Sequence, residues 1–152
     1  MSIATLQKQL AIANSEDVAL RKYLKDLCAS LGASMIDNAD RISLESTADE
    51  TVTKANVSVS LGLIVTELVI NALKHAFPGR NQAGHIRVDY VADSKGWKLT
   101  VGDDGIGMPV GKGQLRPGLG TGIVEALSRQ LEAVVEVTGN APGTMVSIVH
   151  VA

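Results

Sequence analysis

The sequence predicts a two-layer α/β (α+β) sandwich, a mixed, largely antiparallel sheet with helices on one face. Three observations predict it. The periodic segments run helix, strand, helix, two strands, loop, helix, two strands. Both strand pairs are joined by turns short enough to demand antiparallel hairpins, which excludes a doubly wound parallel sheet. The chain has 152 residues and is 45% hydrophobic, enough to bury one core without disulfide or metal staples.

Residues 3–13 carry weak helical spacing through Ile3, Leu6, Leu10 and Ala13, broken by Asn14-Ser15-Glu16-Asp17. The division expected is a helical remnant over 1–16 and one domain over 17–152. A helix from Val18 to about Met35 places Leu20, Leu24, Leu27, Cys28 and Leu31 on one face. Arg41-Ile42-Ser43-Leu44-Glu45 alternates as a short strand. A long helix runs from about Lys54 to Ala76 and stops before Pro78-Gly79. Residues 85–92 and 97–103 alternate around Asp93-Ser94-Lys95-Gly96, a hairpin. Thr121 to Leu131 is helical, and Val134–Thr138 with Thr144–Val151 close a second hairpin. Between the hairpins glycine concentrates: eight of the 15 glycines lie from Gly102 to Gly122. Such density marks backbone that approaches something closely or moves.

Composition removes several functions. The 14 Lys+Arg and 16 Asp+Glu leave a net charge of -2, so this is no strongly basic nucleic-acid binder. The few aromatics, Tyr23, Phe77, Tyr90 and Trp97, make no base-stacking surface. Cys28 is the single cysteine, which leaves no disulfide framework and no cysteine zinc site and suits a reducing, cytoplasmic setting. Ala55 to Leu73 carries one charge, Glu67, and tempts a hydropathy reading as a membrane span. Asn56, Ser58, Ser60, Thr66 and Asn71 make it too polar for lipid, so a half-buried helix is expected and no membrane partner. The opening residues lack a long apolar core after a basic start, and no targeting segment is read there.

Three constellations carry chemistry. On the long helix, Glu67, Asn71 and Lys74 fall within an arc of roughly 60°. Leu61, Val65, Leu68, Ala72 and Ala76 occupy another arc, toward the core. The plain structural alternative is a polar edge with i,i+4 contacts worth a few tenths of a kcal/mol. Asparagine is a poor helix former, and its amide oxygen suits Mg²⁺ while the lysine suits a phosphate. The second is Val101-Gly102-Asp103-Asp104-Gly105-Ile106-Gly107 at a strand end. An Asp-Gly turn is one explanation. The other is that Asp103 accepts a hydrogen bond from a base amino group, with glycines letting backbone lie against the ring. The third is Gly118-Leu119-Gly120-Thr121-Gly122, opening directly into a helix. Bare amides at a helix start form an anion site, or the segment is a lid without a ligand. It is neither a Walker A loop nor a Rossmann fingerprint.

Together these residues make a nucleotide site in chain order, and they resemble a known family. Glu67-x-x-x-Asn71-x-x-Lys74-His75 resembles the N box of the catalytic, ATP-binding domain of sensor histidine kinases, in the GHKL ATPase superfamily. Asp103-x-Gly105-x-Gly107 resembles the first glycine box, and Gly118-x-Gly120-x-Gly122 the second. Thr144 after Pro142-Gly143 resembles the late Gly-Thr that finishes the adenine pocket. "ELVINALKHAF" and "GLGTGIVEALSRQL" are especially similar to HWE and HWE-like kinases. The resemblance covers roughly residues 18–152. It implies the Bergerat fold, ATP and Mg²⁺. It implies that Asn71 holds Mg²⁺, that Glu67 orients or activates the acceptor, and that Lys74 and His75 contact phosphates. It further implies that Asp103 reads adenine with Thr144 assisting.

The sequence departs from the family in four places. Asp104 stands where the first glycine box has Asn, which is expected to add negative charge near the phosphates. Trp97-Lys98-Leu99 keeps the Trp of the HWE Trp-x-Glu and lacks its Glu, which favours the HWE-like sibling group. Ten residues separate Gly107 from Gly118, a short lid. The acceptor is missing too: His75 lies in the N box, and His85 and His150 read as surface or structural. The expected partners are therefore a separate histidine-bearing dimerisation domain and, through it, a response regulator, with this chain a monomer. Two alternatives stay open. One is a serine kinase of the anti-sigma-factor type on the same fold. The other is a non-catalytic interaction domain.

Overall fold

The computed structural model describes residues 17–35, 42–75, 84–105, 121–139 and 143–151. In chain order the elements are β1 (Asp17–Ala19), α1 (Leu20–Met35), β2 (Ile42–Ala48), β3 (Val52–Lys54) and α2 (Ala55–His75). They continue with β4 (Gly84–Asp93), β5 (Gly96–Asp103), α3 (Thr121–Gln130), β6 (Ala133–Gly139) and β7 (Thr144–Val151). The helical reading of residues 3–13 and the domain division at residue 16 lie outside the described residues.

Five strands form one sheet in the order β2-β4-β5-β7-β6. Among the described strands only β2 and β4 run parallel; β4–β5 and β6–β7 are antiparallel, as the hairpins require, and so is β5–β7. The mixed two-layer sandwich is the architecture the sequence predicts. Alternation along β4 shows how it is built. Ile86, Val88 and Tyr90 are buried, while His85, Arg87 and Val91 are exposed. The buried set meets Leu20, Leu24 and Leu31 of α1 and Leu61, Ile64, Val65, Leu68 and Val69 of α2 in one core. Burying each such side chain stabilises the fold by about 1.5–3 kcal/mol.

Helix α2 is long and apolar enough to cross a membrane by length and composition. It nevertheless sits in this core, with Leu61, Ile64, Val65 and Val69 all at 0% exposure. Thr66, Glu67 and Asn71 are half-buried and Asn56 is exposed, the half-buried helix the sequence predicts, while Ser58 is buried and meets Thr53 Oγ1 at 2.6 Å. At the α1–α2 crossing Gly62 makes room for Tyr23, whose hydroxyl lies 2.4 Å from where a Cβ would stand.

Two elements escape the sequence pattern. β1 and β3 are three-residue strands that pair antiparallel as a separate ribbon, Asp17 opposite Lys54. Lys54 Nζ donates to Asp17 Oδ1 at 2.7 Å, and Leu20 N donates to Thr51 O at 2.9 Å, so the ribbon starts both helices. β2 begins at Ile42 and extends to Ala48, three residues past the predicted Glu45. Its polar half, Glu45-Ser46-Thr47, belongs to an edge strand that buries little.

Candidate nucleotide site

The polar edge of α2 arises from the helix period. Glu67 and Asn71 are half-buried and Lys74 is exposed, one above another beside the buried stripe of Leu61, Val65, Leu68 and Ala72. α2 packs against β4, β5 and α3. The backbone of His75 ends α2; its side chain lies outside the described residues, as does Ala76.

Asp103 is the last residue of β5 and is 9% exposed. Its neighbours across the sheet are Ile86 on β4 and Thr144 on β7. Its Oδ1 accepts from Gly105 N at 3.0 Å, a turn closed by an aspartate side chain that fixes the carboxylate at the strand end. Asn71 and Asp103 both engage neighbouring groups.

Gly143 holds this end of the sheet. Its φ is +106°, and a Cβ there would stand 1.8 Å from Asp103 O and 2.8 Å from Asp104 Cα. No side chain fits, so the turn into β7 lies directly on the Asp103-Asp104 backbone. Thr144, the next residue, stands opposite Asp103 in the β5–β7 register.

Asp104 is clamped. Its Oδ1 accepts from His85 N at 2.7 Å and its Oδ2 from His85 Nδ1 at 2.8 Å. Its own N–H donates to His85 O at 3.2 Å. Partial burial pushes the carboxyl up, but the backbone and side-chain hydrogen bonds and the charge of His85 hold it below its ordinary value. Both oxygens of this extra acid are thus directed to the start of β4. His85, read from sequence as surface or structural, fastens the first glycine box to the neighbouring strand. The residues are 19 apart in sequence, and no local pattern signals the pairing.

Gly122 lies in the first turn of α3, exposed, with nothing within 4 Å of a Cβ built on it. Packing among the described residues does not require glycine there. Gly107, Gly118 and Gly120, and with them most of the lid, lie outside the described residues. Among the described residues no group of three His, Cys, Asp or Glu side chains could hold a metal. A Mg²⁺ ion needs few protein ligands, and the amide oxygen of a residue such as Asn71 is of the type it accepts.

α2, which carries Glu67, Asn71 and Lys74, packs against both β5, whose last residue is Asp103, and α3, whose first turn holds Gly122. Residues 56–151 match the family of histidine kinase-, DNA gyrase B-, and HSP90-like ATPases, and the chain belongs to it. Within that family it is the ATP-binding catalytic domain of the sensor histidine kinase kind. It is 31% identical over 140 residues to blue-light-activated histidine kinase 2 of Erythrobacter litoralis, covering 91% of this chain and 40% of that protein. The histidine kinase domain from E. litoralis EL346 superposes with a TM-score of 0.78 at 29% identity, covering 94% of this chain and 68% of that one. The ATP-binding domain of PrrB from Mycobacterium tuberculosis shares the fold, with a TM-score of 0.68 at 16% identity over 91% of this chain and 98% of that one. The chain thus spans about two fifths of the length of the curated relative it matches.

Proposed function

We propose that this domain binds Mg-ATP and presents the γ-phosphoryl group to a histidine imidazole carried by a separate dimerisation domain, from which a response regulator would receive it. The bond from Pγ to the bridging oxygen breaks as a bond from Pγ to the imidazole nitrogen forms. ADP leaves, and the imidazole loses its N–H proton. The observation that carries this reading is Asp103, a carboxylate that is 9% exposed at a sheet end with Thr144 paired beside it. A buried acceptor held so firmly selects the adenine amino group, because a base lacking that donor leaves it unpaired.

Each residue then has a chemical task. Asn71 would hold Mg²⁺ through its amide oxygen, and Lys74 and His75 would meet phosphate oxygens. Bound magnesium would neutralise charge on the phosphates. Glu67, one helical turn from Asn71, would orient the acceptor imidazole and accept its proton. Gly105, Gly107, Gly118, Gly120 and Gly122 would let backbone amides approach the nucleotide. Most of the rate would come from positioning and charge stabilisation. A cytoplasmic location follows from ATP as the ligand.

Calorimetric titration with ADP and a non-hydrolysable ATP analogue, with and without Mg²⁺, tests the site. Micromolar binding strengthened by Mg²⁺ is expected. Asn71→Ala should keep the metal-free affinity and lose the Mg²⁺ enhancement; an unaltered metal dependence would sink that role. No binding under any condition would leave an interaction domain without catalysis. A histidine-bearing helical hairpin supplied in trans should gain acid-labile phosphate. An acid-stable product on a serine-bearing partner would instead favour the serine kinase reading.

A further inference from the structure

A second feature lies at the other side of the sheet, on its β2 edge. β2 ends the strand order and, among the described strands, pairs only with β4. Within a strand the N–H and C=O of one residue point to the same side, and successive residues alternate. Two hydrogen bonds fix which residues point where. Asp49 N donates to Tyr90 O at 3.3 Å, so the odd-numbered residues address β4. Ala48 O accepts from Arg21 Nε at 2.8 Å on the opposite side. Leu44 and Ser46 therefore turn both backbone groups outward.

Those groups open onto a groove of about 610 Å³ between β2 and α1. Its helix wall is one stripe, Arg21, Lys25, Cys28 and Ala29, and its strand wall includes Leu44 and Ser46. Burial pushes the Cys28 thiol up to about 11, so it is apolar wall and not a reactive group. The charge on the helix wall is positive. Arg21 reaches Glu50 at 3.3 Å, and Lys25 makes no ion pair among the described residues. Glu45 and Thr47 also border the groove; they belong to the odd set, whose side chains leave the strand on the face opposite to those of Leu44 and Ser46.

The geometry points to the α1–β2 groove as a docking site for an extended, acidic segment of a partner protein, added to the sheet as a sixth strand beside β2. An edge strand next to a helix is the arrangement by which folded domains take up a peptide as an extra strand. The outward N–H and C=O groups of Leu44 and Ser46 would supply about four main-chain hydrogen bonds. Leu44 and Cys28 would receive an apolar side chain, and Lys25 a carboxylate. Arg21 already occupies Ala48 O, so the added strand ends there. Nothing in this inference involves the nucleotide, and ADP affinity measured alongside separates its failure from failure of the ATP reading.

The test uses the whole chain, labelled with ¹⁵N. The probes are a capped hexapeptide alternating Glu and Val and its Lys–Val counterpart. With Glu–Val, the amides of Leu44 and Ser46 should shift and exchange more slowly with solvent. Ser46→Pro deletes an outward N–H and should weaken binding about fivefold or more. Lys25→Glu should weaken it similarly and prefer the Lys–Val peptide. Three results would overturn the proposal. The first is no shift at about millimolar peptide. The second is equal binding of both peptides to the unaltered chain. The third is strong protection of both amides in the free protein, which would show that the chain's own residues fill the edge.

Discussion

The β5–β7 ladder is closed at both ends by the same device, and the two ends carry different loads. At one end Gly96, φ +142°, lies with its Cβ position 1.9 Å from His150 O. At the other, Gly143, φ +106°, lies with its Cβ position 1.8 Å from Asp103 O. Around the first the sheet gathers rings. Trp97 stacks on Tyr90 at 5.9 Å and on His150 at 5.6 Å, and His150 Nδ1 donates to Glu132 O at 3.1 Å. Around the second it gathers carboxylates, Asp103 and Asp104, and ends in the first glycine box. Two glycine contacts hold the strands in register; what the flanking side chains are decides whether an end is scaffold or site.

Alanine at either glycine should produce the largest effects. A Cβ under 2 Å from a carbonyl oxygen forces the strands apart, and the positive φ adds its own cost. Each substitution should lower unfolding free energy by about 3–5 kcal/mol, measured by chemical denaturation. The comparison predicts a split in a second readout. Below the unfolding transition, Gly96→Ala should keep its ADP affinity and Gly143→Ala should lose it. Equal affinities for both variants would mean that Gly143 does not hold Asp103 and Thr144 in place.

Trp97→Ala comes next. It removes two ring contacts and opens the scaffold end, at about 3 kcal/mol of stability. ADP affinity should not change, because the site lies at the other end of β5. A tenfold loss of affinity would show that the two ends are coupled through the strand. Asp103→Ala should do the reverse, weakening ADP about 100-fold while costing little stability. Unchanged calorimetric affinity would contradict the adenine role.

The same two ends show what a sequence discloses. Periodicity placed the three described helices, apart from Val18 and Ala19, which belong to β1, and both hairpins and the whole of β7, because each pattern completes itself within a few residues. The edge that joins Glu67, Asn71 and Lys74 was legible for the same reason: it needs only 3.6 residues per turn. β1 and β3 were hidden because neither three-residue strand has a period, and their pairing spans 37 residues, Asp17 to Lys54. Asp104 was legible as an extra charge and illegible as a partner of His85. The clamp depends on β4 and β5 lying side by side, which local spacing does not encode. Gly143 was visible only as the residue before Thr144. Its steric reason comes from the backbone of Asp103, 40 residues earlier in the chain.

The clamp gives the smallest effect and the finest test of the site end. His85 holds the Asp104 carboxyl below its ordinary value of 3.8, so the folded state binds that proton less tightly than the unfolded chain. The stabilisation is therefore complete above the ordinary carboxylate value and is lost as the pH falls through the lower folded one. The side chain of Asp104 is 40% exposed and that of His85 72%, so water screens the pair and the gain stays under about 1 kcal/mol. Asp104→Asn should remove this acid-limb dependence while keeping an amide oxygen for His85 N. Its denaturation midpoint should match that of the unaltered chain at low pH and fall slightly below it at neutral pH. A constant difference across the acid range would mean that the clamp holds by shape and not by charge. The ordered loss would instead tie the first glycine box to β4 through an ion pair.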